Sequence, residues 1–312
     1  MLFVGAVLYF QILAKDNIGA IVTEFTASFS GNMIWWGIAA IALMPINWIL
    51  ETVKWRVLIK NFETQSFWHS FKAIMSGVTL SIFTPNRIGE YGGRILLVKP
   101  ENNLKGIAAT LVGSFAQFVV LLSLGVLGMI YFVNVYLDVD IVAMRAMMGM
   151  AFVLISILLF SYYNIDLMID VAKRLPYVHK LKRFVKDIHV LKNYSSRDLT
   201  HALWAAFFRY FVYTLQYYFL LLFFGVNVPL IGGLAGIAFI YLVQTSIPLP
   251  PIWGLLIRGE IALHVWGIFG GNEISILAAT YCLWVINLIL PALLGLVVIL
   301  NLNLLKSLGY EK

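Results

Sequence analysis

The chain has 312 residues, of which 61% are apolar, 15% aromatic and only 12% charged, with a net charge of +7. So little polar surface excludes a soluble globular protein of this length and leaves lipid as the outer solvent. Every backbone donor and acceptor inside lipid needs an internal partner, and the long unbroken apolar runs exclude the alternating pattern of a β-barrel. The expected fold is therefore an all-α polytopic membrane protein, a single integral membrane domain.

A helix needs roughly 20 apolar residues to cross the hydrocarbon core. The opening run Leu2 to Ala14 is shorter, lacks the basic leader and cleavage site of a signal peptide, and reads as a crossing helix whose start is clipped. Five clear spans follow: Met33 to Leu50, Leu104 to Val133, Ile141 to Tyr163, Leu199 to Phe224 and Ile274 to Leu300. That makes six membrane-crossing helices. Trp35, Trp36, Trp48, Trp55 and Trp68 lie near span ends, where they fit an aromatic belt or ordinary packing equally well.

Two further apolar stretches are cut in the middle by proline, glycine and charge. Residues 71–98 contain SIFTPNRIGEYGGR, and residues 228–269 contain SIPLPPIWGLLIRGE. Each reads as a re-entrant helical hairpin, broken at Thr84, Pro85 and Gly89 in the first and at Pro250, Pro251 and Gly254 in the second.

Charge placement fits this topology, because cytoplasmic loops carry the excess of Lys and Arg. If both hairpins return to the side they entered from, Lys54, Arg56, Lys60, Lys99, Lys105, the basic segment within 164–198, Lys306 and Lys312 are all cytoplasmic, as are both termini. The first hairpin then enters from the cytoplasm and the second from outside. Residues 1–140 and 141–312 become inverted-topology repeats, an arrangement found in alternating-access transporters. Ser81, Ile82, Pro85 and Gly89 recur at one constant offset as Ser246, Ile247, Pro250 and Gly254.

Charge near the bilayer centre is costly, so Arg87, Glu90, Arg94, Arg258 and Glu260 are candidate functional residues, set against the alternative that they only fix packing. Thr84 and Pro85 read as the start of a returning helix. From there Arg87, Glu90, Tyr91 and Arg94 share one face, with Gly89, Gly92 and Gly93 on the other. Glu90 can pair with Arg87 or Arg94, and the surplus positive charge calls for an anion. For the lone His264, packing is the better reading than proton relay.

The segment TPNRIGEYGGRILLVK resembles the transmembrane flippase region of the lysylphosphatidylglycerol synthase family. So do the Lys54, Trp55, Arg56 cluster, the polar segment Lys15 to Phe29 and PIWGLLIRGE. The second motif departs from the family's glycine-rich pattern at Ile252, Trp253, Leu255 and Leu256, and no counterpart of the synthase's aminoacyl-transferase domain is found. The resemblance implies the translocating half alone: a flippase that moves an anionic or aminoacylated phospholipid between the leaflets of a bacterial cytoplasmic membrane. Arg87, Arg94, Arg258, Asn86 and Tyr91 are then expected to bind the headgroup phosphate, and Glu90 and Glu260 to balance charge or couple transport. Alanine at Arg94 is expected to abolish transport while leaving folding intact.

The alternatives are a transporter of polyprenyl-phosphate or glycolipid carriers, a membrane-embedded lipid-modifying enzyme using Glu90 or Glu260, and a scaffold subunit for a partner enzyme. Enzymatic signals are thin: there is no P-loop, metal-ligand spacing or nucleophile elbow, so neither metal nor cofactor is expected. Cys282 reads as a small packing residue. Val178, Leu181, Val185, Ile188 and Leu191, interleaved with basic residues, read as an amphipathic surface helix; its charge fits binding to anionic headgroups or the ordinary positive-inside bias equally well, and no nucleic-acid motif accompanies it. Gly232 and Gly236 suit close helix contact within one chain or in a homodimer.

Overall fold

The computed structural model describes residues 31–84, 87–137, 139–167, 194–246 and 251–302. The principal helices among these residues are α1 Ile34–Ile59, α2 Phe67–Ile82, α3 Gly89–Ile95, α4 Asn103–Tyr136, α5 Ile141–Tyr163, α6 Ser196–Phe223, α7 Leu230–Ser246, α8 Pro251–Gly267, α9 Glu273–Trp284 and α10 Leu290–Leu300. A π-helical turn, Val285–Ile289, joins α9 to α10. The opening run, the first polar segment and the expected basic surface helix lie outside the described residues.

Among the described residues, four helical segments are long and apolar enough to cross a membrane: Ile34–Ile59, Pro100–Tyr136, Ile141–Tyr163 and Glu273–Leu300. The span expected at Leu199 to Phe224 is present as α6, whose 28 residues reach about 42 Å. It falls short in hydropathy because it carries Arg209, Gln216 and several tyrosines. Helix starts follow local chemistry: the side chains of Ser66, Asp140, Ser195 and Asn272 accept the backbone N–H of His69, Val142, Asp198 and Ile274 respectively. The first described span was expected to end at Leu50, yet α1 continues to Ile59 through Glu51, Lys54 and Trp55. Those side chains pair inside the bundle, so their polarity does not end the helix.

Antiparallel pairs build the core. α1 and α6 touch along their whole length, from Gly37 against Phe223 and the Trp36–Phe219 ring pair at one end, through the Gln216 Nε2 bond to the Ala40 carbonyl (2.8 Å), to Arg209 Nε on Asn47 Oδ1 (3.0 Å). At the far end the Tyr194 hydroxyl donates to the Leu58 carbonyl (2.7 Å) and Lys60 pairs with Asp198. In α4 and α7, Gly125 meets Leu242 and Gly128 meets Ala238. In α2 and α10, Thr79 Oγ1 donates to the Ala292 carbonyl (2.7 Å), and Gly295 lies directly on the backbone of Met75. Gly232 and Gly236 face Tyr136 of α4 and Trp266 of α8, so both serve contacts within the chain.

The 165-residue shift that carries Ser81 to Ser246 acts on the helices as well. It moves the range of α1 to 199–224 (α6 is 196–223), α2 to 232–247 (α7 is 230–246), α3 into α8, and α4 to 268–301 (α9 to α10 span 273–300). It also exchanges the pairs: α2 packs on α10 as α7 packs on α4, and α1 packs on α4 as α6 packs on α9.

Candidate functional site

α2 and α3 form a tight helical pair. A Cβ on Gly89 would collide with the Leu80 carbonyl, and one on Gly93 with Ser76 and Gly77, whereas Gly92 faces open space. Close packing therefore uses two of the three glycines on that face. The Thr84 hydroxyl accepts the Gly89 N–H (2.7 Å), and α3 begins at Gly89, four residues after the Pro85 start that the sequence reading gave it. Arg87 precedes α3 with φ +58°, a left-handed conformation that a non-glycine residue holds at a cost. Pro85, Asn86 and Pro250 lie outside the described residues. Pro251 opens α8.

From α3, Glu90 and Arg94 turn toward α1. Arg94, 2% exposed, reaches Glu51 (Nη2 to Oε1, 2.7 Å) and also pairs with Glu90; its guanidinium lies 5.2 Å from the Trp55 ring centre. Glu51 binds two further cations, Lys54 at 2.7 Å and Arg209 of α6 at 2.9 Å. Arg87 approaches Glu90 at 3.5 Å. Arg209 also donates to Asn47 and to Gln117 (3.3 Å) and stacks 5.3 Å from the Trp48 ring centre.

An amide chain continues from this cluster. Asn47 donates to Asn287 (2.9 Å), Asn287 to Gln216 (3.0 Å), and Gln216 to the Ala40 carbonyl. Asn287 sits in the π turn, a local distortion often found at functional positions. Each amide in the chain donates onward to the next acceptor, which fixes its orientation in the bundle.

Four cations, Arg87, Lys54, Arg94 and Arg209, thus meet two carboxylates, Glu51 and Glu90. The structure brings together Arg87, Glu90 and Arg94 as the sequence suggested, and adds Glu51, Lys54, Arg209, Asn47, Gln117, Gln216 and Asn287. Lys54 was counted as a cytoplasmic loop charge; it is buried within α1, because Glu51 one turn earlier supplies its partner. Trp48 and Trp55 are likewise buried under guanidiniums, while Trp35, Trp36 and Trp68 are exposed. Tyr91 is half-buried in α3.

The second broken segment is organised differently. Arg258 is half-buried on α8, and Glu260, with a side chain 60% exposed, lies near His264 at 3.8 Å. The site around Gly254 is open, in contrast to the crowded Gly89. A separate cleft of about 650 Å³ lies beyond the end of α1, lined by residues including Glu63, Gln65, His69, Leu97 and Lys99. None of the buried cluster's residues lines it. Among the described residues no group of His, Cys, Asp and Glu is arranged to hold a metal ion.

No match was found among curated proteins or among solved structures. The profile of the family described as the lysylphosphatidylglycerol synthase TM region matches residues 1–295. The match covers nearly the whole chain, and the long apolar helices suit a transmembrane region: the chain belongs to the family of lysylphosphatidylglycerol synthase transmembrane regions.

Proposed function

We propose that this protein is a lipid flippase that moves an anionic or aminoacylated phospholipid between leaflets by alternating access. The observation that carries the reading is the cluster of four cations on two carboxylates inside a lipid-embedded helix bundle. Surplus positive charge at such a place is costly unless an anion visits it, and a headgroup phosphate is the anion that lipid supplies.

In this reading six helices cross the membrane, and α2–α3 and α7–α8 are re-entrant hairpins of two inverted repeats. The 165-residue shift supports the repeat, and the antiparallel course of α1 and α6, which that shift relates, supports the inversion. The setting is a bacterial cytoplasmic membrane with both termini in the cytoplasm. The proposed headgroup contacts are Arg87, Asn86 and Tyr91 of the first broken segment and Arg258 of the second, while the buried Arg94, held by Glu51 and Glu90, adds positive charge behind Arg87. Glu90 and Glu260 balance their charge.

The purified protein reconstituted into liposomes tests this. Labelled phospholipid in one leaflet should appear in the other with its mass unchanged, at a rate well above that of protein-free liposomes. A changed mass would make the protein an enzyme. No movement together with a co-purifying protein would make it a scaffold.

A further inference from the structure

The buried cluster has a selectivity that the flippase reading leaves open. Its two carboxylates are both shared: Glu51 by Lys54, Arg94 and Arg209, and Glu90 by Arg94 and Arg87. Lys54 and Arg94 are closed off from the surface. The cluster meets the outside through Arg209 and Arg87, whose side chains are 18% and 44% exposed. Among the described residues Arg209 uses Nε on Asn47 and Nη1 on Gln117 and Glu51, and nothing bonds its Nη2.

Donors are in excess as well as charge. Arg94 Nε and the indole N–H groups of Trp48 and Trp55, the two rings stacked under the guanidiniums, are buried without an acceptor among the described residues. A phosphodiester brings charge of the missing sign and only acceptors. An added ammonium brings three more donors and a like charge, and finds no carboxylate in the cluster that is not already shared.

Resting on the flippase reading, we infer that Arg209, with Trp48 and Gln117, forms a phosphate subsite that selects net-anionic headgroups and disfavours their aminoacylated, cationic counterparts. Arg209 donates to a non-bridging phosphate oxygen through its unoccupied Nη2 while Asn47 and Gln117 hold the guanidinium plane. An aminoacyl group esterified to the same headgroup places its ammonium in the field of Arg209 and Arg87.

The test compares phosphatidylglycerol with its lysyl ester, in liposome transport and in equilibrium binding of short-chain forms to the purified protein. Wild type should favour phosphatidylglycerol in both, by about tenfold or more, the scale of one charge-assisted hydrogen bond. Arg209→Gln should remove most of that preference, and Arg209→Lys should retain the sign of the preference with weaker binding. Equal or stronger handling of the lysyl ester by wild type, or an unchanged preference in a folded Arg209→Gln, overturns the inference. If Arg209→Gln does not fold, Arg209→Lys decides the assignment, since undiminished binding there overturns the subsite. If wild type moves neither lipid, the flippase reading fails, and the binding comparison still upholds or overturns the charge rule.

Discussion

Arg94 and Glu51, 43 residues apart in the chain, meet at 2.7 Å where α3 leans on α1, and Glu51 is at the same time the partner of Lys54 and Arg209. One carboxylate therefore holds three cations from three helices. Removing it leaves all three without their shared partner. Glu51→Gln is expected to lose about 3 to 5 kcal/mol of stability, the scale for an uncompensated buried charge. Adding Lys54→Met to that variant should restore a substantial part. Unfolding in mixed detergent micelles measures both; a double variant no more stable than Glu51→Gln alone would show that Lys54 and Glu51 are not coupled.

The burial of Arg94 revises what its alanine variant can report. With its guanidinium between two carboxylates and over Trp55, Arg94→Ala should destabilise the bundle by several kcal/mol as well as stop transport. Arg87 is the cleaner probe of the hairpin's surface charge. Its left-handed backbone means that Arg87→Gly should be at least as stable as the wild type, and more stable than Arg87→Ala by about 1 kcal/mol. Unfolding midpoints of the three variants give the order directly.

Glycine substitutions along α3 should separate sharply. Gly89→Ala and Gly93→Ala place a methyl group against the backbone of α2, and should each cost about 1 to 3 kcal/mol or more because backbone cannot swing aside. Gly92→Ala meets nothing and should be neutral or stabilising by up to about 1 kcal/mol. Equal losses at all three positions would contradict the face assignment.

Asp198, in the first turn of α6, gives the acid limb of stability. Burial opposes its carboxylate, but Lys60 and the Ser195 side chain outweigh that and hold its pKa below the ordinary 3.8. A folded-state pKa below the unfolded one adds stability that is fully present above about pH 4 to 5 and is lost as pH falls through the folded value. Asp198→Asn should therefore be less stable than wild type at neutral pH, modestly because Lys60 is half-exposed, and the gap should close toward pH 2. A gap that stays constant with pH would rule out the pairing as its source.

The four long apolar helices and α6 were legible because length and hydropathy are local signals, as are the Pro/Gly interruptions between α2 and α3 and between α7 and α8. The α2–α3 contact was partly so, since Gly89 and Gly93 fall on one face whatever their partner. The heart of the charge cluster was not. Glu51 and Lys54 follow an apolar run and read as a span ending in a cytoplasmic loop; only the paired geometry shows the helix carrying them inward. Arg209 was passed over inside an apolar span, though the cost that marked Arg94 applies equally to it. The shift of Ser81 to Ser246 also takes Glu51 to Gln216, so that offset links two residues of the polar centre.

The long seam between α1 and α6 limits how the molecule can work. It is closed by Phe223 on Gly37 at one end and by Lys60 on Asp198 at the other, with Gln216, Asn47 and Arg209 bonded between. Drawing these two helices apart would strand two amides and a guanidinium away from water, at several kcal/mol. The pair is then a keel, and any opening toward one leaflet or the other has to be a tilt of the remaining helices about it.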